Sequence, residues 1–463
     1  MRKTLIFTVL LALLAVGSVG YVAASIYPLR DQVTVWEADG GRDSYGDASA
    51  AEGLVATFQA DYYEAMNWST RVYFGDEQLR TTTDYVLDFP VQKTTNYLRD
   101  RNEINIRVTI ENVVDPSAFA YLAEGLAPGE KRQETIYLKD YADFFNTEVE
   151  ILFPEETYAW RPSDTTVDNE TEAALKALFD ENLLFPIGER VSVEGHGDIG
   201  EYGPSYGYGV NASSETFGLE VKAVFCGERA YFVFERSGES YSDLDVSHLP
   251  LGYGVYCVAV PRDGGQPTLQ NVYALDHGAA PLKLAVDEAG NLLVYTVEEG
   301  RLCVAVLDTK TNAVTQSLEL TDFPTGTTTW ATYEADGAAA VTLWQETGNC
   351  RLVLLTVGTD GLYRLHWNLE IPSEKSHLLS YSDVTQKRYR YDFTPVMAWN
   401  GQYLAFGISE EYRSGFDIAL YGENGQVYHN SYLTSLNLWP IAPDGDLPLT
   451  LEWEQALGTA NRG

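Results

Sequence analysis

From about residue 212 to about residue 440 the chain is written as short apolar runs separated by Gly, Asp and Asn. One stretch reads PLKLAVDEAGNLLVYTVEEGRLCVAVLDTKTNAVTQSLEL, and the next reads TTWATYEADGAAAVTLWQETGNCRLVLLTVGTDGLYRLHWNLE. The two align element by element. A strand ends in an acidic turn, DEAGN or EADGA, and an apolar strand follows, NLLVYTV or AAVTLWQ. A tight turn, EEG or ETGN, leads to RLCVAVL or CRLVLLTV, and a second turn leads to the fourth strand. The runs do not alternate apolar and polar. They are apolar at successive positions, as strands covered on both faces are. Upstream, GLEVKAVFCGERAYFVFERSG and GYGVYCVAVPRDGGQPTLQNVYAL follow the same grammar. Downstream, RYDFTPVMAWNGQYLAFGISEE and GFDIALYGENGQVYHNSYL do so again.

Four units of four strands, repeating every 45–50 residues or so, predict an all-β, β-propeller-like fold with roughly four-stranded blades. A single blade cannot bury both of its faces, so blades stack and bury them together. Neither the Trp-Asp dipeptides of WD40 repeats nor paired kelch glycines occur. The competing architecture is one or two large β-sandwiches.

Residues 51–190 are less regular but still β-rich. LVATFQADYY, TRVYFGD, YVLDFP, INIRVTIENV, ETIYLKDYADFF and TEVEILFP read as strands, with QVTVWEAD ahead of them. One helix interrupts them, NETEAALKALFDENLL over 169–184. Asn169 can cap it, and acidic residues fill its first turn. It is expected as an insertion. The last apolar run, LPLTLEWEQA over 447–456, is expected to pair with an early strand and close the ring. Residues 191–463 are assigned to the propeller-like repeats, and 27–50 to a linker.

The first 26 residues change the picture again. No charge occurs between Thr4 and Leu29, and Arg2 and Lys3 precede the run. About 20 apolar residues suffice to span a bilayer as a helix, and flanking cations stay on the cytoplasmic side. This predicts a single-pass transmembrane anchor over 1–26, with the bulk of the chain extracytoplasmic. The alternative is a signal peptide cleaved near Ala24, with Val22 and Ala24 at the small-residue positions.

Charge narrows the partners. With 67 acidic against 31 basic side chains the net charge is −36. Such a surface repels nucleic acid and anionic head groups. The partners left are the membrane, through the N-terminal helix, and an extracellular glycan, peptide or protein. The four cysteines, Cys226, Cys257, Cys303 and Cys350, each lie in or beside a strand-like run. Export permits disulfides. Without CxxC or Cys/His spacing, the preferred role is that of small buried hydrophobes.

The sharpest motif is GHGDIG at 195–200, which satisfies G-x-G-x-x-G. That pattern holds a pyrophosphate only where it leaves a strand and opens a helix. RVSVE precedes it acceptably, but EYGPSYGYGVNASS follows, and its glycines and proline break any helix. The match is therefore read as a Gly/Tyr-rich connector. Its tyrosines, Tyr202, Tyr206 and Tyr208, are the candidate ligand-binding residues, offering flat amphipathic faces among glycines. The six histidines lack metal-ligand spacing. Asp243 with Asp245, and Asp444 with Asp446, sit two apart on turns without continuing into a calcium loop. No metal site and no cofactor is expected, no catalytic residue is assigned, and G-x-S-x-G is absent.

The spacer YGDASAAEGL, the N-terminal anchor and the late repeats together resemble single-anchor exported bacterial proteins with propeller-like repeats. The resemblance is architectural and supplies no site residues. The sequence favours a membrane-anchored extracytoplasmic binding or sensor protein that is not an enzyme. The alternatives are an exported glycan or peptide hydrolase with carboxylates at the propeller mouth, and an envelope assembly or scaffold factor.

Overall fold

A computed structural model describes residues 2–26, 34–38, 44–62, 66–75, 79–87, 103–109, 116–152, 169–187, 190–200, 203–211, 217–238, 243–261, 265–276, 278–373, 395–409, 415–434 and 449–454. The chain forms two compact units, one of residues 1–93 with 324–463 and one of residues 94–323.

The first unit opens with α1 (Arg2–Ile26), β1 (Val35–Glu37) and β2 (Tyr45–Gly46). After them come β3 (Leu54–Tyr62), β4 (Met66–Tyr73) and β5 (Arg80–Leu87). The second unit starts with β6 (Glu103–Thr109), α2 (Ala120–Ala123), β7 (Lys131–Tyr137), β8 (Asn146–Leu152) and α3 (Asn169–Asn182). It continues through β9 (Arg190–Gly200), β10 (Gly203–Asn211) and β11 (Phe217–Leu219). Eight strands complete it. They are β12 (Val221–Cys226), β13 (Arg229–Phe234), β14 (Gly254–Ala259), β15 (Thr268–Ala274), β16 (Ala280–Val286), β17 (Asn291–Glu298), β18 (Arg301–Asp308) and β19 (Ala313–Asp322). The chain then returns to the first unit with β20 (Thr327–Ala335), β21 (Ala338–Gln345), β22 (Cys350–Val357) and β23 (Tyr363–Ile371). The last strands are β24 (Val396–Trp399), β25 (Leu404–Ser409), β26 (Gly415–Gly422), β27 (Gly425–Thr434) and β28 (Leu449–Trp453).

In the second unit, β12 to β15 and β16 to β19 are four-stranded antiparallel meanders, and two three-stranded sheets run β10-β9-β7 and β11-β6-β8. In the first unit, β20 to β23 form a third meander. The run β24 to β27 forms a fourth, to which β1 and β2 add on β27. Another four-stranded sheet runs β28-β3-β4-β5, so the expected pairing of the final apolar run with an early strand is present: Leu449 stands opposite Phe58 and Trp453 opposite Leu54.

Burial explains the continuous apolar runs. The second strands, RAYFVF of β13, NLLVYTV of β17 and AAAVTLW of β21, are buried at nearly every position, so both faces are covered. The fourth strands are different. In β19, AVTQSLELTD, Leu320 alone is fully buried. The repeats also differ at their turns. Asp336 and Gly337 both have positive φ (53° and 67°), the two-residue hairpin turn that Asp-Gly favours. In the preceding unit the Asp287 carboxylate instead closes a longer turn, accepting from the Asn291 backbone N–H at 2.7 Å.

The helix expected at 169–184 is α3, and it is built into the core of its unit. Phe179 packs on Phe232 at 6.0 Å between ring centroids, and Phe185, just beyond α3, packs edge-on to Phe234 at 5.7 Å. The spacer YGDASAAEGL contains a 3-10 turn over Ala48–Ala51, capped by Asp47, which accepts from the Ser49 N–H at 3.0 Å. All four cysteines are free. Cys257 and Cys350 are buried, and burial pushes the Cys350 thiol up to about 12.

α1 is 25 residues long, and its described apolar side chains, including Phe7, Leu11, Leu14 and Val16, are exposed. Among the described residues no helix is long and apolar enough to cross a membrane.

Candidate functional site

The first strand of each meander is one of its two edge strands. β12 is half-buried along its whole length, in contrast to the closed β13 beside it. A cavity of about 440 Å³ lies against this edge, lined by Ile104 and Asn105 of β6, Leu219 of β11, Val221, Lys222 and Ala223 of β12, and Lys283 and Leu284 of β16. Three sheets of the second unit therefore contribute to one cavity.

Local sequence places each lining residue. The chain leaves β11 at Leu219 and enters β12 at Val221 with Glu220 alone between them, so two sheets meet within one peptide step. On β16, the register against β17 slips between Pro281 and Lys283. Pro281 has no N–H to donate, which an edge strand tolerates. A bulge at such an edge re-aims the residue that follows. Lys283 is exposed while Leu282 and Leu284 on either side are buried. Lys222 and Lys283 are the sole charged residues within their strands, VKAVFC and APLKLAV.

Their electrostatic settings differ. Lys222 forms an ion pair with Glu235, with the side chains 17% and 28% exposed. Lys283 forms no ion pair among the described residues. None of the eight lining residues is Asp or Glu, in a chain where acids outnumber bases 67 to 31. Lys222, Lys283 and Asn105 line the cavity, while the neighbouring Ile104, Leu219 and Leu284 are buried in the core. The wall is tied to the next sheet by Tyr231 of β13, whose hydroxyl lies 3.1 Å from the Thr309 carbonyl and 3.0 Å from Asn312 Oδ1.

No protein-family model matches the chain, and no curated protein does. The fold is similar to solved structures at low identity. One is a protein from Lactobacillus plantarum, at 11% identity over 86% of this chain and 89% of that one, with a TM-score of 0.26. Puromycin hydrolase matches at 12% identity over 79% of this chain and 45% of its own, with a TM-score of 0.25. The WD40 domain of SCAP from fission yeast matches at 8% identity over 81% and 73%, with a TM-score of 0.25. The chain spans about half the length of the hydrolase it resembles. Propellers and hydrolases both occur among these likenesses, and no activity transfers from them.

GHGDIG lies on a strand. Residues 195–200 belong to β9, which pairs with β10 on one side and β7 on the other. The connector expected over 195–209 is therefore a β-hairpin in all but its tip, because glycines and tyrosines pair across it. Tyr208 stands opposite Gly195 and Tyr206 opposite Gly197, while Tyr202 lies outside the described residues. A Cβ on Gly195 would fall 2.5 Å from the carbonyl carbon of Leu122 and 2.6 Å from the Ala123 nitrogen. The glycine thus lets α2 rest directly on the sheet, with Phe119, Leu122, Ile136, Ile187 and Val193 as their shared core. On the other face Glu194 accepts from Lys131 Nζ at 2.7 Å and Gln133 Nε2 at 2.6 Å, and these bonds hold its carboxyl below the usual range. No helix opens after Gly200, so the amide cradle that a pyrophosphate needs is missing.

The turn aspartates have ordinary partners. Asp243 pairs with Arg236 at 2.5 Å and Asp245 accepts from the Ser247 N–H at 2.9 Å, while Asp444 and Asp446 lie outside the described residues. Among the described residues no group of three His, Cys, Asp or Glu could hold a metal ion. His366 sits in a ring cluster with Trp367 and Trp399, at 5.3 and 5.7 Å between centroids.

Sequence reasoning passed over Lys222, Lys283 and Asn105. A usable signal was present. Each lysine is the lone charge in the first strand of its repeat unit, a position where the repeat grammar demands apolar residues.

Proposed function

We propose that the protein is a non-catalytic binding module whose ligand enters the cavity between β6, β11, β12 and β16. The single observation behind this reading is the lining: two lysines and an asparagine, with no carboxylate among the lining residues. Hydrolysis of a glycan by paired carboxylates needs two acids flanking the bond. This cavity lining supplies none. A concave site with a few placed polar groups is a usual form of a small-ligand site. The four-stranded sheets serve as propeller-like blades that carry the site.

The fluorescent probe 8-anilinonaphthalene-1-sulfonate, an apolar ring system with one anionic group, tests this reading. It is expected to bind the full chain saturably at about one equivalent. Ala223→Trp, which fills the cavity from β12, is expected to weaken that binding at least about tenfold, a loss of about 1.4 kcal/mol. Unsaturable binding, or equal binding by the variant with its thermal unfolding unchanged, overturns the proposal.

The same proposal sets α1 in a membrane, with the two units on the extracytoplasmic side. It is supported by the uncharged run from Thr4 to Leu29 behind Arg2 and Lys3. The expected result of fractionation is a full-length chain that stays with membranes in alkaline carbonate and leaves them in detergent. Recovery of a soluble chain beginning near Ser25 overturns the anchor.

A further inference from the structure

The geometry points to a specific ligand class for this cavity: a small molecule with one oxyanion group, a carboxylate or a phosphate monoester. The inference rests on the binding reading above and adds the chemistry of the ligand. Lys283 is exposed at the cavity, on a bulged edge strand, with no ion pair among the described residues. Lys222 lines the same cavity and is paired with Glu235. Its ammonium has three N–H donors, so a partner on one leaves others to offer. Asn105 adds a carboxamide on the β6 side.

An anion entering here meets donors from three different sheets and no lining carboxylate. Val221 is its half-buried apolar neighbour. Ile104, Leu219 and Leu284 are buried in the unit's main core and back the site from beneath. The rest of the chain repels anions, with a net charge of −36. Exposed charges beyond about 8 Å are largely screened at physiological ionic strength, so the near lysines outweigh the distant acids.

The test is calorimetric titration of the full-length chain, in detergent, with hexanoate, hexyl phosphate and hexan-1-ol. At least one of the two anions is expected to bind about tenfold or more tighter than the alcohol, because hydrogen bonds to a charged group are worth more than neutral ones. Which anion binds tighter identifies the head group. Lys283→Gln is expected to lower the anion's affinity about tenfold and leave hexan-1-ol unchanged, while Lys283→Arg keeps the anion within about threefold. Thermal unfolding of each variant serves as the control for fold. If the alcohol binds as tightly as both anions, or Lys283→Gln leaves the anion unaffected, the oxyanion assignment falls and the binding reading stands. If no probe binds and 8-anilinonaphthalene-1-sulfonate also fails, both fall.

Discussion

Removal of the chain from residue 448 onward is expected to unfold the sheet β28-β3-β4-β5. β28 contributes five paired residues, from Leu449 opposite Phe58 to Trp453 opposite Leu54. Leu449 is 6% exposed, and Leu451 and Trp453 pack against the same core cluster. The Trp453 indole donates to the Ala398 carbonyl at 3.1 Å, and the Glu454 N–H to the Gly53 carbonyl at 2.7 Å. Burying a leucine contributes about 1.5–3 kcal/mol and each ladder hydrogen bond about 0.5–1.5 kcal/mol. The loss is then more than about 5 kcal/mol, comparable with the whole stability of a typical domain. The truncated chain should show amide protection lost across β3 and β4 and a markedly lower thermal unfolding temperature. Leu449→Asp should reproduce part of the effect, at about 3 kcal/mol, because it sets an unpaired carboxylate against Phe58 and its neighbours. A truncated chain that unfolds at the temperature of the full chain would contradict the pairing. Hydrogen exchange locates the damage, since protection reports local opening.

The second large effect concerns the motif at 195–200. Gly195→Val is expected to destabilise the second unit by about 3 kcal/mol, the upper end of the usual range for overpacking. The obstruction is the backbone of α2 at Leu122 and Ala123, within 2.7 Å of the added carbon, and backbone cannot swing aside as a flexible side chain can. Gly218→Ala is the control. Its added carbon meets open space, so its expected change is within about 0.5 kcal/mol. Urea midpoints measure both. If Gly195→Val keeps the wild-type midpoint, close packing of α2 is not the reason for this glycine.

Local sequence was enough for much of the architecture. Apolar runs such as NLLVYTV and AAAVTLW, bounded by Asp, Asn and Gly, specify strands covered on both faces, and the Asp336-Gly337 pair specifies its own hairpin. The regular spacing of those runs specifies a repeat of four-stranded antiparallel sheets. Asn169 and the acidic turn after it mark the start of α3. These signals are legible because each lies within one strand, turn or helix start, where backbone geometry follows from a few neighbouring residues.

The misread elements depend on partners far away in the chain. GHGDIG followed by a Gly/Tyr-rich stretch has no strand propensity to speak of, yet it forms the β9–β10 hairpin because β7 and α2 cover it. Propensity at a strand is largely the fit of side chains to neighbours, and here the neighbours come from residues 116–137.

The candidate site shows the same division. By itself, the sequence determined the repeat, the strands and their turns, the large acidic excess and the uncharged N-terminal run. It also placed one lysine in each of two first strands, where either reads as a solvated charge on an edge. Tertiary structure alone decided that Lys222, Lys283 and Asn105 line one cavity, that no carboxylate shares its lining, and that Gly195 serves packing rather than phosphate. The reason is that local propensity acts through neighbours in sequence, whereas a site is made by residues more than a hundred positions apart meeting at the edges of three sheets.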